Sequence, residues 1–214
     1  MKPDAVSAAL DYARKVFAED FSGHDFFHTE RVYRLAGAIQ EREGGHRETV
    51  LLAALLHDVD DPKLSPETAA GHDRAVAFLR EQGASDAEVS RIVRIIEQVS
   101  FRGEDSVTPD SIEGRIVQDA DRLDAIGAIG IGRTFAFGGS RGQPMHDPDL
   151  LPRAHLSAAD YASHRSSTVN HFYEKLLLLK DLMGTQTGRR MAEHRHQVME
   201  AFLEEFFAEW NGTR

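Results

Sequence analysis

An imidazole and a carboxylate stand side by side at His57-Asp58, directly after the apolar run Thr49-Val50-Leu51-Leu52-Ala53-Ala54-Leu55-Leu56. Such a pair at the end of a buried helix can grip one metal ion. Two further candidate ligands lie far off in sequence: His28, in His-Thr-Glu-Arg-Val, and Asp121, in Ala-Asp-Arg-Leu. Two neutral imidazoles and two carboxylates from three helices suit a divalent cation of the Mn, Fe, Co, Ni or Zn kind and leave positions open for water and substrate. The chemistry this supports is metal-assisted hydrolysis, in which an ion lowers the pKa of water and polarises the group under attack. The dipeptide alone is not diagnostic. His-Asp occurs four times, at His24-Asp25, His57-Asp58, His72-Asp73 and His146-Asp147, and only context separates them. The run before His57 is too apolar to be exposed, whereas His72-Asp73 and His146-Asp147 read as solvated pairs near a helix start and in a loop. For His57-Asp58 the spacing leaves a second reading open, a buried histidine satisfied by its carboxylate neighbour.

The elements that must position these groups are helical. Hydrophobic periodicity is helical nearly everywhere and no alternating strand pattern appears, so an all-α fold in one domain is expected. Residues 3–20 read as a helix, with Tyr12, Val16 and Phe17 on one face. A second covers about 26–42 and is stopped by Gly44-Gly45. A third, 48–60, carries the His57-Asp58 pair and is ended by Pro62. Ser65-Pro66-Glu67 predicts the start of a fourth, with Ser as N-cap and Pro in the first turn. Ser85-Asp86-Ala87-Glu88 is a capping box opening a fifth. A sixth, 111–126, carries Asp121, and the Gly-punctuated apolar stretch 127–139 reads as a short buried helix. Residues 139–156 form a long loop. Two long helices follow, at about 158–183 and 188–210.

The bulk composition narrows the function. A chain of 214 residues with 41% hydrophobic content can bury a sizeable core. Its formal net charge of -10 argues against binding a nucleic-acid polymer, since a phosphate backbone is repelled outside a local basic pocket. A small anionic substrate stays compatible with a metal and a few Arg or Lys. There is no Cys, hence no disulfide framework and no thiolate nucleophile. The N-terminus Met-Lys-Pro-Asp-Ala has no signal-peptide pattern and no run reaches transmembrane length, so a cytoplasmic protein with no membrane partner is expected. The apolar C-terminal helices, with the stripe Met199, Phe202, Leu203, Phe206 and Phe207, are compatible with core packing or with a homodimer interface.

Taken together, the order His28, His57-Asp58, Asp121 resembles the HD-domain metal-dependent phosphohydrolase superfamily. Val32 stands four residues after His28 as in its first motif, Leu-Leu-His-Asp-Val fits the second, and Asp119-Ala120-Asp121-Arg122-Leu123 fits the last. The segments His24-Asp25-Phe26-Phe27-His28, Val117 to Gly130 and Asn170-His171-Phe172-Tyr173-Glu174-Lys175-Leu176-Leu177 are similar to the bacterial YedJ/YpgQ-like branch, so the resemblance spans nearly the whole chain. It implies one HD domain over 1–214, with a metal-binding core at about 20–130 and C-terminal helices at about 157–210. It also implies hydrolysis of nucleotide phosphoanhydrides with a Mn-like ion, Ni, Co, Fe, Zn or Mg being alternatives. Asp61, four residues after His57, matches the acidic position commonly catalytic in such hydrolases. Asp60 is the runner-up as proton carrier, and Lys63 follows the pair; Asp60-Asp61-Pro62 as a mere polar helix terminator is the competing reading. Cations that could bind phosphate are Arg31, Arg102, Arg122, His171 and Lys175. Asp25 and Asp124 could orient ligand side chains or bind sugar hydroxyls. The expected outcome is conversion of a nucleoside triphosphate, ribo or deoxy, to the monophosphate and pyrophosphate. Nucleoside monophosphate hydrolysis, cyclic-nucleotide opening and non-catalytic nucleotide sensing remain as alternatives.

Overall fold

A computed structural model describes residues 1–18, 25–61, 65, 67–99, 106–153 and 166–214. Every regular element among them is helical, and none is long and apolar enough to cross a membrane. Lys63, Arg102, Pro62, Pro66 and the start expected for the helix at 158 lie outside the described residues. The chain clusters into two compact units, the first comprising Met1–Phe101 and Ser106–Asp121, the second including Arg122–Arg214.

In the first unit α3 (Arg47–Leu56) is the central strut. All eight residues from Thr49 to Leu56 are buried, which explains a stretch apolar all round rather than amphipathic. It packs against α1 (Ala5–Val16), α2 (Phe26–Glu43) and α5 (Asp86–Val99). Helix α1 offers the small residues Ala5, Ala9 and Ala13, spaced one turn apart, which permit close approach. Its Tyr12 stacks on Phe78 of α4 (Asp73–Glu81), with ring centroids 4.9 Å apart. Helix α2 stops where Gly44 and Gly45 take φ of 82° and 83°, a region that costs a glycine little. The capping box of α5 forms as its sequence predicts: Glu88 accepts from the Ser85 N–H and hydroxyl, each at 2.8 Å, and the Ser85 hydroxyl accepts from the Glu88 N–H at 3.4 Å. Two expectations are corrected here. Regular helix in α3 ends at Leu56, not at 60, so the His57-Asp58 pair lies in the turn that follows. The fourth helix begins at Asp73 and not at Ser65: the buried Ser65 hydroxyl makes no hydrogen bond among the described residues, and residues 67–72 form turns that end with His72 at φ 50°.

Helix α6 (Ile112–Asp124) carries the last residues of the first unit. Gln118 is buried there and donates from Nε2 to the carbonyls of Gln98 at 2.7 Å and Val107 at 2.9 Å.

The second unit is built from α7 (Gly127–Ser140), the five-residue α8 (Asn170–Glu174), a 3₁₀ segment (Leu176–Leu182) and α9 (Gln186–Trp210). Phe135, Phe172, Phe202 and Phe206 form one ring cluster with centroids 5.8–6.4 Å apart. Helix α7 is not buried as expected, since Ala128, Ile129, Gly132 and Ala136 face solvent. Nor do the described residues contain a single helix reaching 183. Lys175 breaks it with φ -142° and ψ -60°, and the chain tightens to 3₁₀. In a 3₁₀ helix positions i and i+3 eclipse, which puts Leu176 and Leu179 on one buried edge. Glu174 is buried and accepts from the Ser166 hydroxyl at 3.0 Å and the Arg153 N–H at 3.2 Å.

Candidate metal centre

Three elements of the first unit bring the predicted ligands together. Asp25 caps α2, accepting at 2.9 Å from the backbone N–H of His28, and so holds the first turn on which that ring is mounted. His57 follows α3, and its Nδ1 lies 2.8 Å from the Ala54 carbonyl. A proton on Nδ1 would serve that carbonyl and leave the Nε2 lone pair to face the pocket. Asp121 comes from α6. His28 Nε2 lies 3.4 Å from Asp58 Oδ2 and 3.5 Å from Asp121 Oδ1. His57 Nε2 lies 3.2 Å from the same Asp58 oxygen and 3.9 Å from the same Asp121 oxygen. The two rings meet edge to face, with centroids 5.3 Å apart.

This donor set fits a divalent cation. Atoms bound to one ion at the usual N/O distances are about 3.0–3.4 Å apart at octahedral or tetrahedral angles, close to the spacings of Asp58 from the two imidazoles; donor atoms of His28, His57 and Asp58 all lie within 4.8 Å of one another, while Asp121 approaches the imidazoles only, the longer distance being 3.9 Å. His57 Nε2 is buried and makes no hydrogen bond, its nearest polar neighbour being Asp58 Oδ2 at 3.2 Å. An orphaned nitrogen in the interior is costly unless something else satisfies it. The imidazoles are 1–2% exposed at the side chain and Asp58 10%, but Asp121 is 25% exposed, so of the four it is the one most open to solvent. Electrostatics agree. Burial works against a charged His57, yet the carboxylate of Asp58, with that of Asp121 and the Ala54 carbonyl, raises its pKa to about 9. Two carboxylates around two imidazoles favour a positive charge at this spot.

The other predicted residues divide. Arg31 lies on α2 one turn beyond His28, and is half-buried. Asp61 is half-buried, its N–H bonded to the Asp58 carbonyl at 3.0 Å. Asp60 is buried and turned toward α4, where its Oδ1 accepts from the Arg74 N–H at 3.2 Å and its Oδ2 from the Ala75 N–H at 2.9 Å. Nothing in the sequence signals this pairing, since the partners are fourteen and fifteen residues away. Arg122, His171 and Lys175 belong to the second unit. Arg122 is buried and donates to the Leu182 carbonyl, and the Lys175 N–H donates to the His171 carbonyl at 3.0 Å. Asp124 is buried against Arg133, which donates to it at 2.8 Å, so its carboxylate serves an ion pair inside that unit.

Comparison with known proteins comes to the same place. The HD domain family model matches residues 25–126. YpgQ of Bacillus subtilis is 39% identical over 199 residues, covering 90% of this chain and 87% of that protein, and its crystal structure in complex with ADP matches with a TM-score of 0.75. A crystal structure from Lactobacillus plantarum matches with a TM-score of 0.90 at 38% identity, covering 99% of both chains. One from Bacillus thuringiensis, described as an HD-superfamily hydrolase, matches with a TM-score of 0.76 at 41% identity, again over 99% of both.

Proposed function

Because this chain belongs to the HD domain family, we propose that it is a metal-dependent phosphohydrolase acting on nucleotides, cleaving a nucleoside triphosphate or deoxynucleoside triphosphate into monophosphate and pyrophosphate. The observation that carries this reading is the cluster of His28, His57 and Asp58, with Asp121 Oδ1 beside both imidazoles and no hydrogen bond to the buried His57 Nε2. These four side chains would hold the ion, Mn being the proposed occupant. When bound, a divalent cation supplies Lewis-acid polarisation of a phosphoryl oxygen and a more acidic water.

The remaining chemistry falls to the chain's own groups. Asp61 follows the clamped Asp60 and is partly open to solvent, so it is the carboxylate proposed to move the proton between water and leaving group. Arg31, on the His28 face of α2, would neutralise phosphate charge as it redistributes. The same task is proposed for Lys63, Arg102, Arg122, His171 and Lys175 on the strength of the family resemblance. So many cations suit a leaving pyrophosphate, which is more highly charged than a single phosphate; hence attack at the α phosphorus. The ADP complex of the similar YpgQ supports a nucleotide ligand.

The test is a panel of ribo- and deoxynucleoside mono-, di-, tri- and cyclic phosphates incubated with Mn(II), with products separated by ion-exchange chromatography. Monophosphate and pyrophosphate in the first turnovers are expected. Orthophosphate with a nucleoside diphosphate, or intact tripolyphosphate, would move the cleaved bond and leave the metal centre standing. Tight nucleotide binding without turnover under any divalent metal would replace the enzyme by a sensor.

A further inference from the structure

Asp60 is 3% exposed, and a buried carboxylate needs compensation. It finds this at the N-terminus of α4, through the N–H groups of Arg74 and Ala75. These are among the first N–H groups of the helix, which have no partner within it. The local cap is missing: His72, at the N-cap position, has φ 50° and its side chain makes no capping bond. Asp60 thus supplies from a distant turn what an N-cap aspartate supplies locally, with its negative charge at the positive end of the helix.

The turn that carries Asp60 also carries the His57-Asp58 pair. It lies beyond the last residue of α3 and is joined by hydrogen bonds from the Val59 N–H to the Leu56 carbonyl, at 3.3 Å, and from the Asp61 N–H to the Asp58 carbonyl, at 3.0 Å. A turn of this kind is oriented by what its side chains grip. Val59 is fully buried, and Asp60 grips α4. We propose that Asp60 is a positioning residue of the cation site: its bidentate hold on α4 sets where the carboxylates of Asp58 and Asp61 point, and thereby the affinity of the site for its metal. The proposal rests on the metal-centre reading and takes Asp60 out of the proton-carrier role.

The experiment uses the full chain, titrated with Mn(II) by calorimetry and with Co(II) by visible absorption, whose d–d bands report ligand geometry. Asp60→Ala removes both acceptors, and Asp60→Asn keeps one acceptor oxygen. Mn(II) affinity should fall in the order wild type, Asp60→Asn, Asp60→Ala, with a loss of about 10–100-fold for alanine, as for other residues that orient metal ligands. The Co(II) bands of Asp60→Ala should shift, and Asp60→Asn should keep turnover within about tenfold at saturating Mn(II). A cap that is only structural would lower the melting temperature of Asp60→Ala and leave Mn(II) affinity and the Co(II) spectrum unchanged; that result overturns the proposal alone. If Asp60→Ala does not fold, Asp60→Asn decides. Weakened Mn(II) affinity with turnover retained at saturation supports positioning. Wild-type Mn(II) affinity overturns it, whether turnover is normal or drops by about 10²–10⁴ as for a lost proton carrier. A wild-type protein that binds neither ion overturns the metal reading and this proposal with it.

Discussion

At the scale of single residues the centre is a contest between a proton and a cation for His57 Nε2. The folded pKa of about 9 lies above the ordinary 6.5, so a proton on His57 stabilises the metal-free protein. That contribution is fully present below pH 6.5 and is lost as pH rises through about 9. A ligand imidazole must be neutral, so below pH 9 each metal bound at His57 displaces a proton. Mn(II) affinity is therefore expected to weaken about tenfold per pH unit as pH falls below 9. Calorimetry in buffers of differing ionisation enthalpy measures the released proton; affinity independent of pH between 7 and 9 would contradict the mechanism. The two aspartates flanking Asp60 should separate binding from chemistry. Asp58→Ala is expected to lose bound metal, read by elemental analysis after dialysis. Asp61→Asn should retain it while kcat drops by about 10²–10⁴. Full activity in Asp61→Asn would leave the proton-carrier role to another group.

Among the elements, α3 matters most, because a helix buried on all sides from Thr49 to Leu56 has no freedom to shift the pair beyond its end. Leu52 is fully buried at its middle. Leu52→Ala should cost about 2–5 kcal/mol through transfer and cavity effects, measured by urea unfolding. In the second unit, α9 starts where the Thr185 hydroxyl accepts from the Gly188 N–H at 2.9 Å, with Thr185 2% exposed. Thr185→Ala should cost about 1 kcal/mol. A change within error there would show that the Gly188 N–H finds another acceptor.

For the molecule as a whole, charge and linkage make the predictions. A formal charge of -10 leaves a long phosphate polymer repelled, while a small polyanion can be compensated locally by a divalent ion and a few cations. Duplex DNA should show no binding at physiological salt, and a micromolar Kd in a filter assay would contradict this. Metal bound only by the folded state must stabilise it. Free Mn(II) at a hundred times its Kd should add about 2.7 kcal/mol, seen as a rise in melting temperature reversed by chelator and absent in Asp58→Ala.

Much of the architecture was legible along the chain, because helix periodicity, caps and stop signals act over a few residues. The capping box at Ser85 and Glu88 and the stop at Gly44-Gly45 are of this kind. The nearness of His28 to the His57-Asp58 pair was legible too, since ligand types at motif spacing carry their chemistry with them, and Asp121 as a fourth ligand stays a proposal. Other features were not. The Ser65-Pro66 start signal did not open a helix at that point, and the apolar 127–139 stretch stayed partly exposed on one face. Whether an acidic residue at 60 or 61 faces the pocket depends on which backbone donors lie across from it. Asp60 was claimed by the first turn of α4, a helix whose own N-cap residue makes no capping bond. Local signals set the menu of helices and ligands. The assignment of each buried polar atom to a partner depends on long-range packing, because an unsatisfied group in the interior is costly wherever along the chain its partner lies.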